Sequence, residues 1–304
     1  MMKKVTIVIP TYKRPNQICR AVDSALNQTY SNIEIIVVDD NGEGSPFEIE
    51  TEKKLQNYVL DNKITYLKNK KNSGGSFSRN QGLFHSKGEY ITFLDDDDEI
   101  SEKKIEEQVK CLEEKGDDYS CCYCQYHRID TNGNIYNSTE NIQGDVFYYA
   151  LSRSIDIGSG SNLLVRTEIA RKIGGYDISF KRNQDLEFMV RLLRNYKLAF
   201  VNKDLLTVHN EIRELKLSYQ DFCEIEKHYL DTFYHDIQGL SKNNQKKLYK
   251  RVALERFYFS IVSHNVYDAV KNLFHNHVGP FTFTKYCFYL VKIYITKRPY
   301  SFKL

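Results

Sequence analysis

Four consecutive aspartates, Asp95-Asp96-Asp97-Asp98, close the run Tyr90-Ile91-Thr92-Phe93-Leu94 in this 304-residue chain. An apolar, β-branched run after Gly88 reads as a buried strand of a parallel sheet. Open α/β sheets bind ligands in the crevice at the carboxyl ends of their strands, which is where these carboxylates fall. Like charges packed so closely are unfavourable unless a cation neutralises them. All-oxygen donors suit Mn2+ or Mg2+ together with substrate phosphate. A solvated acidic turn has the same composition, so the tetrad has to be weighed with the rest of the chain.

The elements around the tetrad follow a pattern. Val5-Thr6-Ile7-Val8-Ile9-Pro10 is a buried strand, and Pro15 opens a helix with Ile18, Ala21, Val22 and Ala25 on one face. Ile33-Glu34-Ile35-Ile36-Val37-Val38 is a second strand, ending in Asp39-Asp40. A helix carrying Leu55 and Tyr58 leads to a third strand at 64–67, and Asn72-Ser73-Gly74-Gly75 leads into a helix through Arg79 and Asn80. This β-α-β alternation predicts an α/β, doubly wound, mostly parallel sheet, with both acidic strand ends at one crevice. Beyond it, Ser101 reads as the N-cap of a helix through Ile105, Val109 and Leu112. Residues 119–127 read as a strand, 130–134 as hairpin-turn chemistry and 161–165 as a further strand. A short helix from Thr167 ends at Gly174-Gly175, and another helix begins near Asp185.

Composition and charge bound the partners. The chain is 41% hydrophobic and 27% charged, with a net charge of +3, too small to argue for nucleic acid. The charge is uneven: 29 basic against 33 acidic residues in 1–215, and 14 against 7 in 216–304. A basic, Tyr- and Phe-rich helical extension thus follows an acidic α/β part, which points to an anionic surface. Residues 286–295 are nearly all apolar, with Lys285 and Lys292 on one helical face. That segment is read as a final core helix, with peripheral membrane contact through its basic face as the other placement. Seven scattered cysteines, an odd number, argue for reduced thiols rather than a disulfide framework. The first strand begins at Val5 without a signal-like stretch, and no segment has the length of a membrane span, so a cytoplasmic protein is expected.

Nucleotide-binding motifs are informative by omission. The turn after the first strand, Pro10-Thr11-Tyr12-Lys13-Arg14-Pro15, is not a Gly-x-Gly-x-x-Gly dinucleotide turn, and no P-loop occurs. Phosphate is then expected to be held through metal.

Together these blocks resemble the family 2 glycosyltransferases. The match is carried by residues 5–12, Ser24-Ala25-Leu26-Asn27-Gln28-Thr29-Tyr30, Val37-Val38-Asp39-Asp40-Asn41, Asn72-Ser73-Gly74-Gly75 with Arg79-Asn80, and 88–98. Further on it is carried by Gly174-Gly175-Tyr176-Asp177 and Asn183-Gln184-Asp185-Leu186-Glu187. The resemblance covers about residues 3–215. It implies the GT-A fold and transfer of a sugar from a UDP-sugar, or another NDP-sugar, with inversion.

By that resemblance Asp40 accepts from the base of the nucleotide, and Thr11 and Arg79 line the same pocket. Asp95-Asp96-Asp97 stands at the family's Asp-x-Asp, with Asp97 as the metal ligand and Asp95 or Asp96 on ribose or a metal-bound water. The register is open by one residue, since all four positions are Asp. The cofactor is Mn2+ or Mg2+. Asp185 stands at the base position, where one carboxylate takes the acceptor hydroxyl proton. The residue before it is Gln184 where the family usually has Glu, which alters the local electrostatics. His209 resembles the histidine that reaches metal or diphosphate, and Arg213 and Lys216 follow in a loop that would close over the diphosphate.

The expectation is therefore a GT-A catalytic domain over 1–215, with a nucleotide-binding half to about 98 and an acceptor half from 99. A helical extension over 216–304 follows. The acceptor would be a glycan or lipid-linked sugar, in cell-surface polysaccharide assembly such as capsule, at the inner face of the plasma membrane. Two rival readings are an NDP-sugar nucleotidyltransferase, of whose phosphate loop Lys13-Arg14 is a faint echo, and a non-catalytic nucleotide-sugar-binding subunit.

Overall fold

The two runs that end in acidic residues become strands flanking a common neighbour, the first strand, in one nine-stranded sheet. In the computed structural model, which describes residues 2–210, 218–263, 266–296 and 302–304, the chain forms two units, residues 1–147 with 157–211, and 148–156 with 212–304.

The first unit holds the sheet. Strands β1 (Val5–Thr11), β2 (Ile33–Asp39), β3 (Thr65–Lys68) and β4 (Tyr90–Phe93) run parallel in the order β3-β2-β1-β4. Val5 lies opposite both Ile33 and Tyr90, so Thr11, Asp39 and the residues after Phe93 come out at the same edge. The apolar positions of β1 and β4 are buried on both faces, as an unbroken apolar run requires. Helices α1 (Ile18–Leu26), α2 (Pro46–Leu60) and α3 (Gly75–His85) make the crossovers. The first of these starts later than Pro15 suggests, because Pro15 heads a turn closed by the Gln17 N–H on the Arg14 carbonyl. Close approach fixes α3: a methyl group on Gly82 would overlap the side chain of Val8.

Beyond β4 the sheet turns mixed. β4 meets β8 (Leu164–Arg166) antiparallel, and β6 (Tyr119–Ile129), β9 (Lys197–His209) and the short β5 (Glu99–Ile100) complete the row. β7 (Ile135–Asn137) returns along β6, so the turn at 130–134 does close a hairpin. The helices on this side are α4 (Lys104–Lys115), α6 (Thr167–Lys172) and α7 (Gln184–Leu193); α5 (Phe147–Leu151) leads into the stretch that belongs to the second unit.

Two expectations shift. Ser101 does not cap α4: its N–H donates to the Leu205 carbonyl at 2.9 Å, extending the short β5 ladder, and the helix begins only after Lys103. The strand expected at 161–165 begins at Leu164, because Gly160–Asn162 forms a 3-10 turn instead. The Asn162 side chain explains this, bonding the Cys124 N–H and carbonyl and the Ile157 carbonyl at 2.8–2.9 Å, which holds the backbone there out of the ladder. All seven cysteines are free thiols, and burial pushes Cys121 up to about 12.

The second unit is helical: α8 (Tyr219–Thr232), α9 (Tyr234–Gly239), α10 (Lys242–Val262), α11 (Val266–His275) and α12 (Pro280–Thr296). A Ser218–Asp221 capping box starts α8. The buried carboxylate of Glu226 is held by Arg153 and Arg256. One face of α12 does pack, with Tyr286 against Leu254 and Phe302, while Phe281, Phe288 and Ile295 on its other side stay exposed. No described helix is long and apolar enough to cross a membrane.

Candidate active site

At the carboxyl edge of β2 the two aspartates do different work. Asp39 accepts from Tyr66 Oη at 2.6 Å and the Asn41 N–H at 2.8 Å, which ties β2 to β3; burial raises its pKa. The buried Asp40 carboxylate takes four donors. Oδ1 accepts from Asn69 Nδ2 and the Ser73 N–H, both at 2.8 Å; Oδ2 accepts from Asn72 Nδ2 at 3.0 Å and the Gly74 N–H at 2.8 Å. A carboxylate offers about four lone-pair sites, so all are engaged. Gly74 takes φ +91° as the N-cap of α3, a conformation open to glycine, and this aims its N–H at Asp40.

Four identical residues at 95–98 acquire four different surroundings. Asp95 accepts from Arg79 Nη2 at 2.5 Å, and its own N–H donates to Ser161 Oγ at 3.0 Å. Asp96 accepts from Thr11 Oγ1 at 2.7 Å and from Arg14 Nη1 at 2.8 Å. The same Arg14 nitrogen lies 2.8 Å from Asp97 Oδ2, and Arg20 donates to the Asp97 carbonyl at 2.6 Å. Asp98 accepts from Ser159 Oγ at 2.7 Å and Ser161 Oγ at 2.5 Å. The last three carboxylates are buried. Burial raises Asp96, with Arg14 and Thr11 opposing it. Asp98 is pushed up to about 7, first by burial and then by the charge of Asp95. Its serine hydroxyls offset only part of that.

Asp185 sits in the first turn of α7, half-buried, after Asn183 in a left-handed conformation at φ 58°. Burial raises its pKa, the charge of Arg79 lowers it and that of Asp95 adds to the rise. Arg79 joins this residue's surroundings to the tetrad: besides Asp95 it donates to Gln184 Oε1 at 3.0 Å. The amide at 184 thus accepts from Arg79 without adding a third negative charge beside Asp95 and Asp185. Arg79 lies 5.5 Å over the ring of Tyr176, which stacks on Phe188 at 4.2 Å. Asn80 grips the Tyr176 backbone at both its N–H, 2.7 Å, and its carbonyl, 2.8 Å. The Arg79-Asn80 and Gly175-Tyr176 blocks, distant in sequence, are therefore one unit in space.

Thr11, Asp96 and Asp97 are thus gathered with Arg14, and Asp95 with Arg79, at one sheet edge. Arg79 reaches Asp185 through the neighbouring Gln184 and through its charge, and Asp40 lies at the end of β2 with its carboxylate turned to the 69–74 loop. His209, at the end of β9, lies 3.6 Å from Glu99 Oε2, directly after the tetrad. Arg213 and Lys216 lie outside the described residues.

The fit to a divalent cation is one of donor chemistry. The cluster is all oxygen, and a buried carboxyl held near 7 beside two other carboxylates is one that a cation would stabilise in its charged form. Among the described residues no three His, Cys, Asp or Glu side chains are gathered as a ligand set, and the cation now beside Asp97 is the Arg14 guanidinium.

Three groups at this site escape sequence reasoning. Arg14 is one, although its place in the turn after β1 is a usable signal. Ser159 and Ser161 are the others, in a Gly-Ser-Gly-Ser run whose only sequence signal is small size.

The geometry has counterparts. The model of glycosyl transferase family 2 matches residues 6–174, more than half of the chain. The chain belongs to that family. An uncharacterized glycosyltransferase of Rickettsia typhi is 33% identical over 208 residues, covering 66% of this chain and 62% of its own length. This chain therefore spans under two thirds of that relative. An uncharacterized glycosyltransferase of Methanocaldococcus jannaschii is 29% identical over 236 residues, 76% of this chain and 77% of its own. Among solved structures, S. aureus TarS 1–349 in complex with UDP-GlcNAc superposes with TM-score 0.65 at 16% identity, over 90% of this chain and 80% of that one. The mannosyltransferase PcManGT of Pyrobaculum calidifontis, in complex with GDP-Man and Mn2+, gives 0.60 at 15%, over 98% and 82%. At such identity these neighbours speak for the fold alone: it is the GT-A fold of this family.

Proposed function

We propose that this family 2 member is an inverting glycosyltransferase that moves one sugar from a UDP-sugar, or another NDP-sugar, to a hydroxyl of a glycan or lipid-linked acceptor. The observation that carries the reading is the bridge that Arg79 makes from Asp95 of the tetrad to Gln184, the residue before Asp185, with its charge bearing on Asp185 itself. Nucleotide-sugar use is supported by the neighbours solved with UDP-GlcNAc and GDP-Man.

In this reading the acceptor oxygen attacks the anomeric carbon opposite the departing nucleoside diphosphate. The carbon–oxygen bond to the acceptor forms as that to the diphosphate breaks, and the acceptor proton passes to the Asp185 carboxylate. A base needs a pKa near working pH, and the burial that raises Asp185 moves it in that direction. Arg79 holds Asp95 and Gln184 and keeps Asp185 from rising too far. Thr11 and Arg14 orient Asp96, and the two serines orient Asp98. We assign Asp97, with His209, to holding Mn2+ or Mg2+; when bound, such an ion supplies positive charge to the leaving diphosphate. Catalysis is assigned to 1–215, with 216–304 serving the acceptor at the inner face of a membrane during cell-surface polysaccharide assembly.

The test is UDP release by the purified chain from a panel of UDP-sugars, with and without Mn2+, for wild type, Asp97→Ala and Asp185→Asn. Turnover of one donor, lost on chelation and in both variants, is expected. Metal-independent turnover would remove the ion from the mechanism, and turnover by Asp185→Asn at the wild-type rate would remove the base.

A further inference from the structure

We propose that a basic cleft between α10 and α11 binds the phosphate of anionic membrane lipid and lays the second unit on a bilayer surface. Lys242, Lys246 and Lys250 are four residues apart on α10 and so share one face. Together with Gln245 and Tyr249 of the same helix they meet His275 and His277, at the end of α11 and in the turn after it, around a cavity of about 510 Å³. No carboxylate lines it, and among the described residues no acidic side chain pairs with any of the three lysines. Other cations of the chain do have acidic partners: Lys68 pairs with Glu48 and Glu52, and Arg153 with Glu226 and Glu255. Three like charges on one helix face repel, so a bound anion is what such a cleft lacks.

The flanks select the source of that anion. Phe274, the residue before His275, is 78% exposed, and Phe281, in the first turn of α12, is 84% exposed, so one precedes and one follows the turn with His277. Phe288 and Ile295 continue the Phe281 face of α12 at seven-residue steps, and both are exposed. A soluble phosphate compound would need the cations alone. Exposed aromatic residues flanking, along the chain, the histidines that line the cleft match a headgroup with its acyl chains, since aromatic residues settle at the interface. With no described helix able to cross a membrane, the arrangement suits lying in the surface plane. It adds to the transferase reading a place where a lipid-linked acceptor would be met, yet it is tested without donor or acceptor, so the two stand or fall separately.

The experiment is co-sedimentation of the full chain with sucrose-loaded vesicles of phosphatidylcholine containing phosphatidylglycerol, against pure phosphatidylcholine. Wild type should sediment with the anionic vesicles alone. The Lys242→Ala/Lys246→Ala/Lys250→Ala variant should bind them about 100-fold more weakly, from the loss of three cations near an anionic surface. Phe274→Ser/Phe281→Ser should also lose binding, and both variants should keep wild-type circular dichroism and UDP affinity. Undiminished binding by the lysine variant, or no binding by wild type, overturns the proposal. So does calorimetric binding of inorganic phosphate or pyrophosphate without vesicle binding, which would assign the cleft to a soluble compound. A concentration-dependent dimer that the phenylalanine variant abolishes, again without vesicle binding, would assign the apolar flanks to a second copy.

Discussion

Replacing Asp40 with asparagine keeps the outline of the side chain but turns one acceptor oxygen into an NH2 donor. In the native arrangement both oxygens are saturated, Oδ1 by Asn69 and the Ser73 N–H, Oδ2 by Asn72 and the Gly74 N–H, all within 3.0 Å. Whichever way the new amide points, two donors face a donor. One of each pair is a side-chain amide, which can flip to present its oxygen; the other is a backbone N–H, which cannot. A hydrogen bond to a charged group contributes about 1.5–3 kcal/mol, and a buried donor left unmet costs a similar amount. The charge is also lost from the second, surviving pair, so Asp40→Asn should destabilise the fold by about 3 kcal/mol. That is a large fraction of the stability of a typical domain. Urea unfolding should show a lower midpoint with an unchanged slope. The family resemblance gives Asp40 a different duty, acceptance from the nucleotide base, so UDP affinity has to be measured on the same variant. A loss of stability under about 1 kcal/mol together with abolished UDP binding would refute the anchoring argument.

The remaining predictions concern catalysis, pH and packing. Asp185→Asn should lower transfer by about 1,000-fold while leaving the unfolding midpoint near wild type, since the removed group acts on the acceptor proton; unchanged transfer would end its assignment as base. Because Asp185 is raised, kcat/KM should climb with pH as the carboxyl ionises, and Arg79→Gln, which removes the cation that lowers it, should move that limb to higher pH. A limb that stays in place would show that another group titrates. Asp98 has a folded pKa of about 7, above its unfolded value, so its contribution to stability is fully present below the unfolded pKa and is lost as pH rises through 7. Denaturation series for wild type and Asp98→Asn should therefore diverge across that window, with the variant gaining relative to wild type as pH rises, and Mn2+ should narrow the gap; parallel series would count against it. Gly82→Val should destabilise the chain by about 1–3 kcal/mol through overlap with Val8, read as a lower thermal midpoint.

Much of the first unit was legible because its signals are local. An unbroken apolar strand followed by acids, with a turn and an amphipathic helix between strands, specifies a parallel α/β arrangement within a few dozen residues. The shared edge of Thr11, Asp39 and the tetrad follows from it, because parallel strands end on one side, whereas the order β3-β2-β1-β4 is seen only in the fold. The antiparallel half was less legible. Asn162 reads as a strand residue, and only its bonds to Cys124 and Ile157, made across the fold, turn the segment into a 3-10 turn. Ser101 likewise has the chemistry of a cap, but a carbonyl more than a hundred residues away takes its N–H.

The sequence by itself determined the class of chemistry: a dense set of carboxylates at strand ends, an arginine after a Gly-Gly turn, and a single acid opening a later helix. Residue type and spacing suffice for that, since oxygen donors and strand ends are properties of short segments. The tertiary structure alone decided how those groups differ. Four successive aspartates are chemically identical in the sequence; in the fold one pairs with Arg79, two share Arg14, and the last is left to two serine hydroxyls and held near 7. Ionisation and orientation depend on burial and on charges a few ångströms away, and those neighbours come from strands, turns and helices far apart along the chain.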